Sequence, residues 1–199
     1  MHSGQLLSIQ TGTIRPLRVG ERKLMSAIGK TPVPGAVAVG PLGLAGDEQS
    51  DLSVHGGLRK AVYALPSEHL SWWQQQRQAR GVTLFEETLA PGYLGENLSL
   101  QSVLEQEVFI GDVLRFEDVT LRVTQPREPC GKFNAVMGYA QAAKDYASRL
   151  PPAKRANPGP AEIEGLKKVA EDAREKARVL GGIQNLHKPS RPANTTPPR

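Results

Sequence analysis

Thr120-Leu121-Arg122-Val123-Thr124-Gln125-Pro126-Arg127-Glu128-Pro129-Cys130-Gly131-Lys132-Phe133 is the stretch around which the chain is organised. Its first five residues read as a strand, and the residues from Phe133 onward read as a helix. Pro126 and Pro129 lie between the two. Each proline fixes its own backbone φ and pushes the residue before it toward extended geometry. The connection is therefore a stiff loop of defined shape. Cys130 closes it and is the only cysteine among 199 residues. Arg127 and Lys132 flank the thiol, and nearby positive charge favours the thiolate, the form that attacks or ligates a metal. A lone cysteine is equally a small buried hydrophobe, and on these residues alone both readings stand.

One cysteine excludes an internal disulfide and a four-cysteine zinc or iron–sulfur site within one chain, and fits a reducing compartment. No run approaches the ~20 apolar residues of a membrane span. Met1-His2-Ser3-Gly4-Gln5 lacks the basic-then-apolar form of a secretory signal. The expected setting is cytoplasmic, with no membrane partner. The pI of about 9.5 invites a nucleic-acid reading, but the charge is unevenly placed. Residues 148–199 hold 11 of the 25 Lys and Arg and 5 of the 20 Asp and Glu. That leaves 14 basic and 15 acidic residues in 1–147, a body near neutrality without a basic, aromatic-interleaved face. No nucleic-acid partner is expected.

Upstream, residues 5–14 read as a first strand. Residues 15–35 are rich in Gly and Pro and read as loop with short extended pieces. Ala36-Val37-Ala38-Val39 reads as a short strand. A loop dense in small and polar residues follows: Gly43-Leu44-Ala45-Gly46-Asp47-Glu48-Gln49-Ser50-Asp51, continuing to Val54-His55-Gly56-Gly57. Loops longer than ~12–15 residues are uncommon in compact domains and are often functional. Glycine there allows tight turns or close approach of a ligand to the backbone. Ala61–Leu65 reads as a strand and Ser67–Arg77 as a helix, with His69 a surface or packing residue rather than a ligand. Gly95-Glu96-Asn97-Leu98 leads into another strand. Residues 108–116 are extended around a turn at Gly111-Asp112. The short strands broken by Gly and Pro imply a mostly β body with helices, an α+β, barrel-like fold.

Downstream, apolar residues recur at near 3–4 spacing from Phe133 to about Arg149, which predicts one helix. Residues 150–160 form a Pro-rich linker. Residues 161–180 carry an amphipathic helix pattern, supported by Glu164–Lys168 and Asp172–Lys176 pairs. Residues 181–199 are polar, basic and Pro-rich, and are expected to be disordered.

Four stretches together resemble the MOSC domain, the module named for the C-terminal part of molybdenum cofactor sulfurase, in its YiiM-like branch. They are the glycine loop with Val54-His55-Gly56-Gly57, then Gly95-Glu96-Asn97-Leu98, Gly111-Asp112, and Gln125 to Phe133. Each is weak alone, but their order and spacing are specific. The resemblance runs from about residue 5 to about residue 147, which makes 1–149 the expected domain.

The resemblance implies a β-barrel-like fold that binds the pterin molybdenum cofactor, with Cys130 as both catalytic residue and metal ligand. It implies reduction of N-hydroxylated compounds such as 6-N-hydroxylaminopurine, N–OH to N–H. Soft thiolates suit such metals. Arg127 and Lys132 are expected to meet the cofactor's phosphate, and Gly46, Gly56 and Gly57 to let backbone N–H groups approach it. Asp47 is expected to accept hydrogen bonds from pterin nitrogens. His55 is either a donor to oxo group or substrate, or structural. Asn97 is carried over with the cofactor-binding set, although Glu96-Asn97 also suits a role in positioning the loop. No GxGxxG fingerprint is present, so an external electron-donor reductase is an expected partner beside the small-molecule substrate.

Two alternatives remain at this stage. One is a non-catalytic cofactor-binding or sulfur-carrier module with Cys130 as a persulfide. The other is an inactive, truncated remnant, because past about Tyr146 the strand-rich segment of relatives gives way to linker, charged helix and tail. Missing closing strands would expose a sheet edge. Helix 161–180 is expected to cover that edge or to pair with a second chain in a homodimer.

Overall fold

The structure is a computed structural model described over residues 3–52 and 54–149. The expected linker 150–160, helix 161–180 and tail 181–199 lie outside the described residues. The strands, in order, are β1 (Gln5–Thr11), β2 (Arg15–Val19), β3 (Arg22–Ser26), β4 (Thr31–Pro32), β5 (Val39–Gly40), β6 (Gly43–Leu44) and β7 (Ala64–Pro66). Helix α1 (His69–Ala79) is followed by β8 (Leu98–Gln101), β9 (Val113–Arg115), β10 (Thr120–Arg122), α2 (Gly131–Met137) and α3 (Ala142–Arg149). A four-stranded sheet has the order β4-β1-β8-β7, and the other strands pair as two-stranded ribbons, β2-β3, β5-β6 and β9-β10. The mostly β body with helices is as expected. Among the described residues its strands do not close into a barrel.

Strand β8 explains how the sheet holds two layers together. It pairs antiparallel with β1, with Ile9 opposite Leu98 and Leu6 opposite Leu100, and parallel with β7. Alternate residues of a strand face opposite sides. Leu98 and Leu100 enter a small core with Leu44. Ser99 faces the other way, accepting from Gln10 Nε2 at 3.2 Å and donating to Glu96 Oε1 at 3.3 Å. The larger core gathers Leu65, Trp73, Leu89, Leu94, Phe133, Met137, Ala142 and Tyr146. Helices α1, α2 and α3 meet there.

Three local expectations are corrected. Residues 15–26 form a regular hairpin rather than loop, with Arg15 opposite Ser26 and Val19 opposite Arg22. The strand expected at 36–39 survives only at Val39–Gly40. The single helix expected from Phe133 to Arg149 is two helices. Gly138 has φ +79°, a left-handed conformation that ends α2, and its N–H bonds to Asn134 O. A Cβ at Gly138 would also meet Val82 Cγ1 at 2.6 Å, so a side chain there has no room. The chain then restarts, and the amide of Ala143 donates to Asn134 Oδ1 at 2.7 Å. Arg77 fastens this corner to α1. Its guanidinium donates to both oxygens of Glu87 and to the carbonyls of Val136 and Met137.

Candidate functional site

Cys130 lies where the sequence reading puts it, at the junction of a Pro-stiffened loop and a helix. Its backbone is extended, with φ −135°, and its carbonyl accepts the N–H groups of Phe133 and Asn134 that open α2. The thiol is free and half-buried. Three contacts fasten this loop to the segment that contains the glycine loop. Thr124 Oγ1 donates to Arg59 O at 2.6 Å, and Lys132 Nζ donates to Ser50 Oγ at 3.2 Å. Lys60 Nζ lies 3.7 Å from the carboxylate of Glu128 and donates to Val54 O at 2.9 Å.

The glycine loop itself is laced by one side chain. Gln49 Nε2 donates to Leu42 O at 2.9 Å and to Ala61 O at 3.1 Å, while its Oε1 accepts from Gly57 N at 2.9 Å. Gly56 passes so close to Gln49 that a Cβ there would collide with the amide oxygen, and Gly57 has φ +74°. Within the chain, the close approach that Gly56 permits is to Gln49. Gly46 lies just past β6 on the exposed side of the loop.

Asp47 anchors the start of this loop. Its Oδ1 accepts from Gly12 N at 2.8 Å and also pairs with Lys30 Nζ, and its Oδ2 accepts from Asn97 Nδ2 at 2.9 Å. The Lys30 and Asp47 side chains are 7% and 3% exposed, so both charges are effectively buried and depend on one another. Burial lowers the Lys30 pKa despite Asp47, and the charge of Arg127 adds to that lowering. Asn97 uses both ends of its amide. Its Oδ1 accepts from Tyr63 N at 3.1 Å, and its Nδ2 also donates to Gln10 O at 3.2 Å. Glu96, beside it, accepts from Gly92 N, Leu94 N and Ser99 Oγ, and burial raises its pKa. These contacts give Asp47, Glu96 and Asn97 the job of fixing the loop and strand geometry. Asp112 takes its expected turn position, accepting from Phe109 N at 2.9 Å. His69 is buried at the start of α1, 2.6 Å from Glu105.

His55 is half-buried, and its N–H bonds to Asp51 O at 2.8 Å. Its pKa is lowered, first by burial and then by the positive charges of Arg127, Lys132 and Lys60, against a smaller opposing pull from Asp51. The structure therefore brings His55, Arg127, Lys132 and Lys60 into one electropositive neighbourhood. Lys30 and Tyr63 are site residues that the sequence reading did not single out. Lys30 sits in a Gly/Pro-rich segment that reads as loop. Tyr63 reads as a strand residue, yet its ring lies under Arg127, with the guanidinium carbon 4.8 Å from the ring centroid.

The result is an α+β, sheet-dominated domain that presents a single half-buried thiol on a clamped loop beside a cluster of cations. The MOSC domain matches residues 51–173, and the chain belongs to that family. It is 37% identical over 128 residues to protein YiiM of Escherichia coli (strain K12), covering 64% of this chain and 54% of that protein. It is 32% identical over 142 residues to a protein of Gibberella moniliformis named Reductase, covering 71% of this chain and 24% of the other. The crystal structure of YiiM from Geobacillus stearothermophilus superposes with a TM-score of 0.55 at 28% identity, covering 75% of this chain and 65% of that one. The chain thus spans little more than half of the Escherichia coli relative. The family match continues to residue 173, past the point near Tyr146 where the motifs end.

The family implies the molybdenum cofactor, and the residues present fit such a group. Among the described residues no three His, Cys, Asp or Glu side chains gather as a metal site. A metal held by the described residues would need most of its ligands from its carrier. Cys130 supplies the one soft donor, and the surrounding cations suit an anionic carrier. No helix among the described residues is long and apolar enough to cross a membrane.

Proposed function

We propose that this MOSC-family chain binds the molybdenum cofactor and reduces N-hydroxylated compounds of the 6-N-hydroxylaminopurine kind in the cytoplasm. The overall change is R–NHOH plus two protons and two electrons to R–NH2 plus water. The cofactor, when bound, supplies a redox-active metal for the electron transfer. The electrons reach it from outside these 199 residues, because one cysteine holds no cluster of its own. An electron-donor reductase is the proposed partner.

The chain's own residues do the rest. Cys130 offers its sulfur as the metal ligand, with Arg127 and Lys132 close to it in the chain. Arg127 and Lys132 meet the anionic phosphate of the cofactor. His55, with its pKa below the usual histidine value, is a neutral imidazole at pH 7. It has one ring N–H to give and one ring nitrogen to receive, which suits holding the hydroxyl of the substrate and relaying a proton from solvent, taken up at one ring nitrogen as the other ring N–H passes to the leaving hydroxyl. Asp47, Asn97 and Gln49 keep the opposing loop in place.

The observation that carries this reading is Cys130: a free, half-buried thiol on a loop clamped against the segment that holds His55. The test is molybdenum per chain, measured by mass spectrometry after expression in a cofactor-competent host. The expected result is about one equivalent in the wild type, as for a single thiolate site, and near none in Cys130→Ala, with reduction of 6-N-hydroxylaminopurine lost in step. Equal molybdenum in the variant overturns the ligand assignment. Cyanide-labile sulfur on Cys130 without molybdenum would make the chain a sulfur carrier instead.

A further inference from the structure

Arg127 is half-buried and is held by a ring face. Among the described residues it has no carboxylate partner. Its guanidinium instead lies over the Tyr63 ring, 4.8 Å from the centroid. A carboxylate would occupy two of the N–H donors and cancel the charge. A ring face does neither, because the attraction comes from the ring quadrupole and leaves the five donors free. Tyr63 is fixed from three sides. Its backbone N–H donates to Asn97 Oδ1 at 3.1 Å, its carbonyl accepts from Asn97 N at 2.7 Å, and its hydroxyl lies 3.1 Å from the Tyr146 hydroxyl. Tyr146 belongs to α3 and is stacked on Trp73 and edge-on to Phe133, three residues past Cys130. Burial holds both phenols neutral, with Tyr146 pushed up to about 12 and Tyr63 raised well above the ordinary value.

We propose that Tyr63, braced by Tyr146 and Asn97, is a positioning residue that holds the Arg127 guanidinium over its ring face so that its N–H groups meet an oxyanion of a bound ligand. That the oxyanion is the phosphate of the cofactor rests on the function proposed above. The holding of Arg127 does not. The ring face carries the effect and the hydroxyl only braces the ring, so Tyr63→Phe and Tyr63→Leu must behave differently.

The experiment uses the full chain without metal and titrates inorganic pyrophosphate calorimetrically at low salt. Tyr63→Leu weakens binding roughly fivefold, the scale of a partly exposed cation–π contact, while Tyr63→Phe stays within about twofold of the wild type. The double variant Arg127→Gln with Tyr63→Leu binds no more weakly than Arg127→Gln alone, because the two changes remove one device. Nitrogen-15 NMR gives a readout that a merely structural role would not move. The Arg127 Nε–H resonance is shifted upfield by the ring in the wild type and in Tyr63→Phe, and returns to the free-arginine position in Tyr63→Leu. Wild-type affinity in a folded Tyr63→Leu, additive losses in the double variant, or an unshifted Arg127 resonance in the wild type overturns the proposal. If Tyr63→Leu does not fold, the wild-type and Tyr63→Phe resonances decide it. A chain that takes up no molybdenum yet behaves in this way leaves the positioning role intact and sinks only the cofactor reading.

Discussion

Beneath Cys130, Trp73, Phe133 and Tyr146 pack ring to ring, with centroids 5.4–6.0 Å apart and exposures of 5% or less. Across from it, the glycine loop buries Leu44 in the small core but leaves most of its other apolar side chains exposed. Leu42, Leu52 and Val54 are 50%, 60% and 47% exposed. That loop is shaped by polar contacts: Gln49 to three backbone groups, and Asp47 to Gly12, Lys30 and Asn97. One wall of the site is thus set by burial, which is strong and non-directional. The other is set by hydrogen bonds, which are individually modest but directional. On the function proposed above, the thiol sits on the first wall, and the loop that would admit a ligand belongs to the second, where local opening costs less than global unfolding.

The largest break in that contrast is Phe133→Ala. Phe133 is 1% exposed at the centre of the aromatic cluster and lies one turn past Cys130. Removing the ring leaves a cavity that partial collapse cannot fill, at a cost of about 3–5 kcal/mol. Urea unfolding should show the midpoint fall with the slope unchanged. A loss below about 1 kcal/mol would mean that the cluster re-packs and that the cysteine wall is not rigid. Gln49→Ala should do the converse. It leaves Leu42 O, Ala61 O and Gly57 N without their shared partner, at about 1–3 kcal/mol if those groups stay dry and less where water reaches them. Hydrogen exchange at Gly57 should accelerate while the α1 and α2 amides keep their protection. Equal acceleration in the helices would show that the two walls open as one unit.

The same contrast explains what the sequence made legible. The cysteine wall was readable because burial leaves periodic signs: a strand, two prolines, then apolar residues at helical spacing. Even its one error had a local sign, since Gly138 ends α2 by adopting a conformation that other residues avoid. The β2–β3 hairpin was harder. Its strands are mostly exposed, and Pro16 lies inside β2, where it argues against regular pairing. In the glycine loop the motif was visible but its internal partners were not. Nothing local says that Gln49 bonds across 7, 8 and 12 residues, or that Lys30 reaches Asp47 across 17. Those pairings are products of the fold. So is the meeting of Tyr63 and Arg127, 64 positions apart in the chain.

The smallest expected effect separates the walls by charge. His55 belongs to the hydrogen-bonded side, but the cations that depress its pKa include Arg127 and Lys132 from the cysteine side. The sign follows from proton counting. Below the ordinary histidine value of 6.5 and above the lowered folded value, the unfolded chain binds a proton that the folded chain refuses. Stability from this group is therefore present above pH 6.5 and is lost as pH falls through the folded pKa. His55→Gln should flatten that part of the stability curve below pH 6.5 and leave the plateau above it unchanged. Arg127→Gln should shift the His55 titration upward when followed by ring-proton NMR, because one of the repelling charges is gone. If removing Arg127 leaves that titration unmoved, the two walls do not share a field at His55, and the electropositive cluster is not the common feature that joins them.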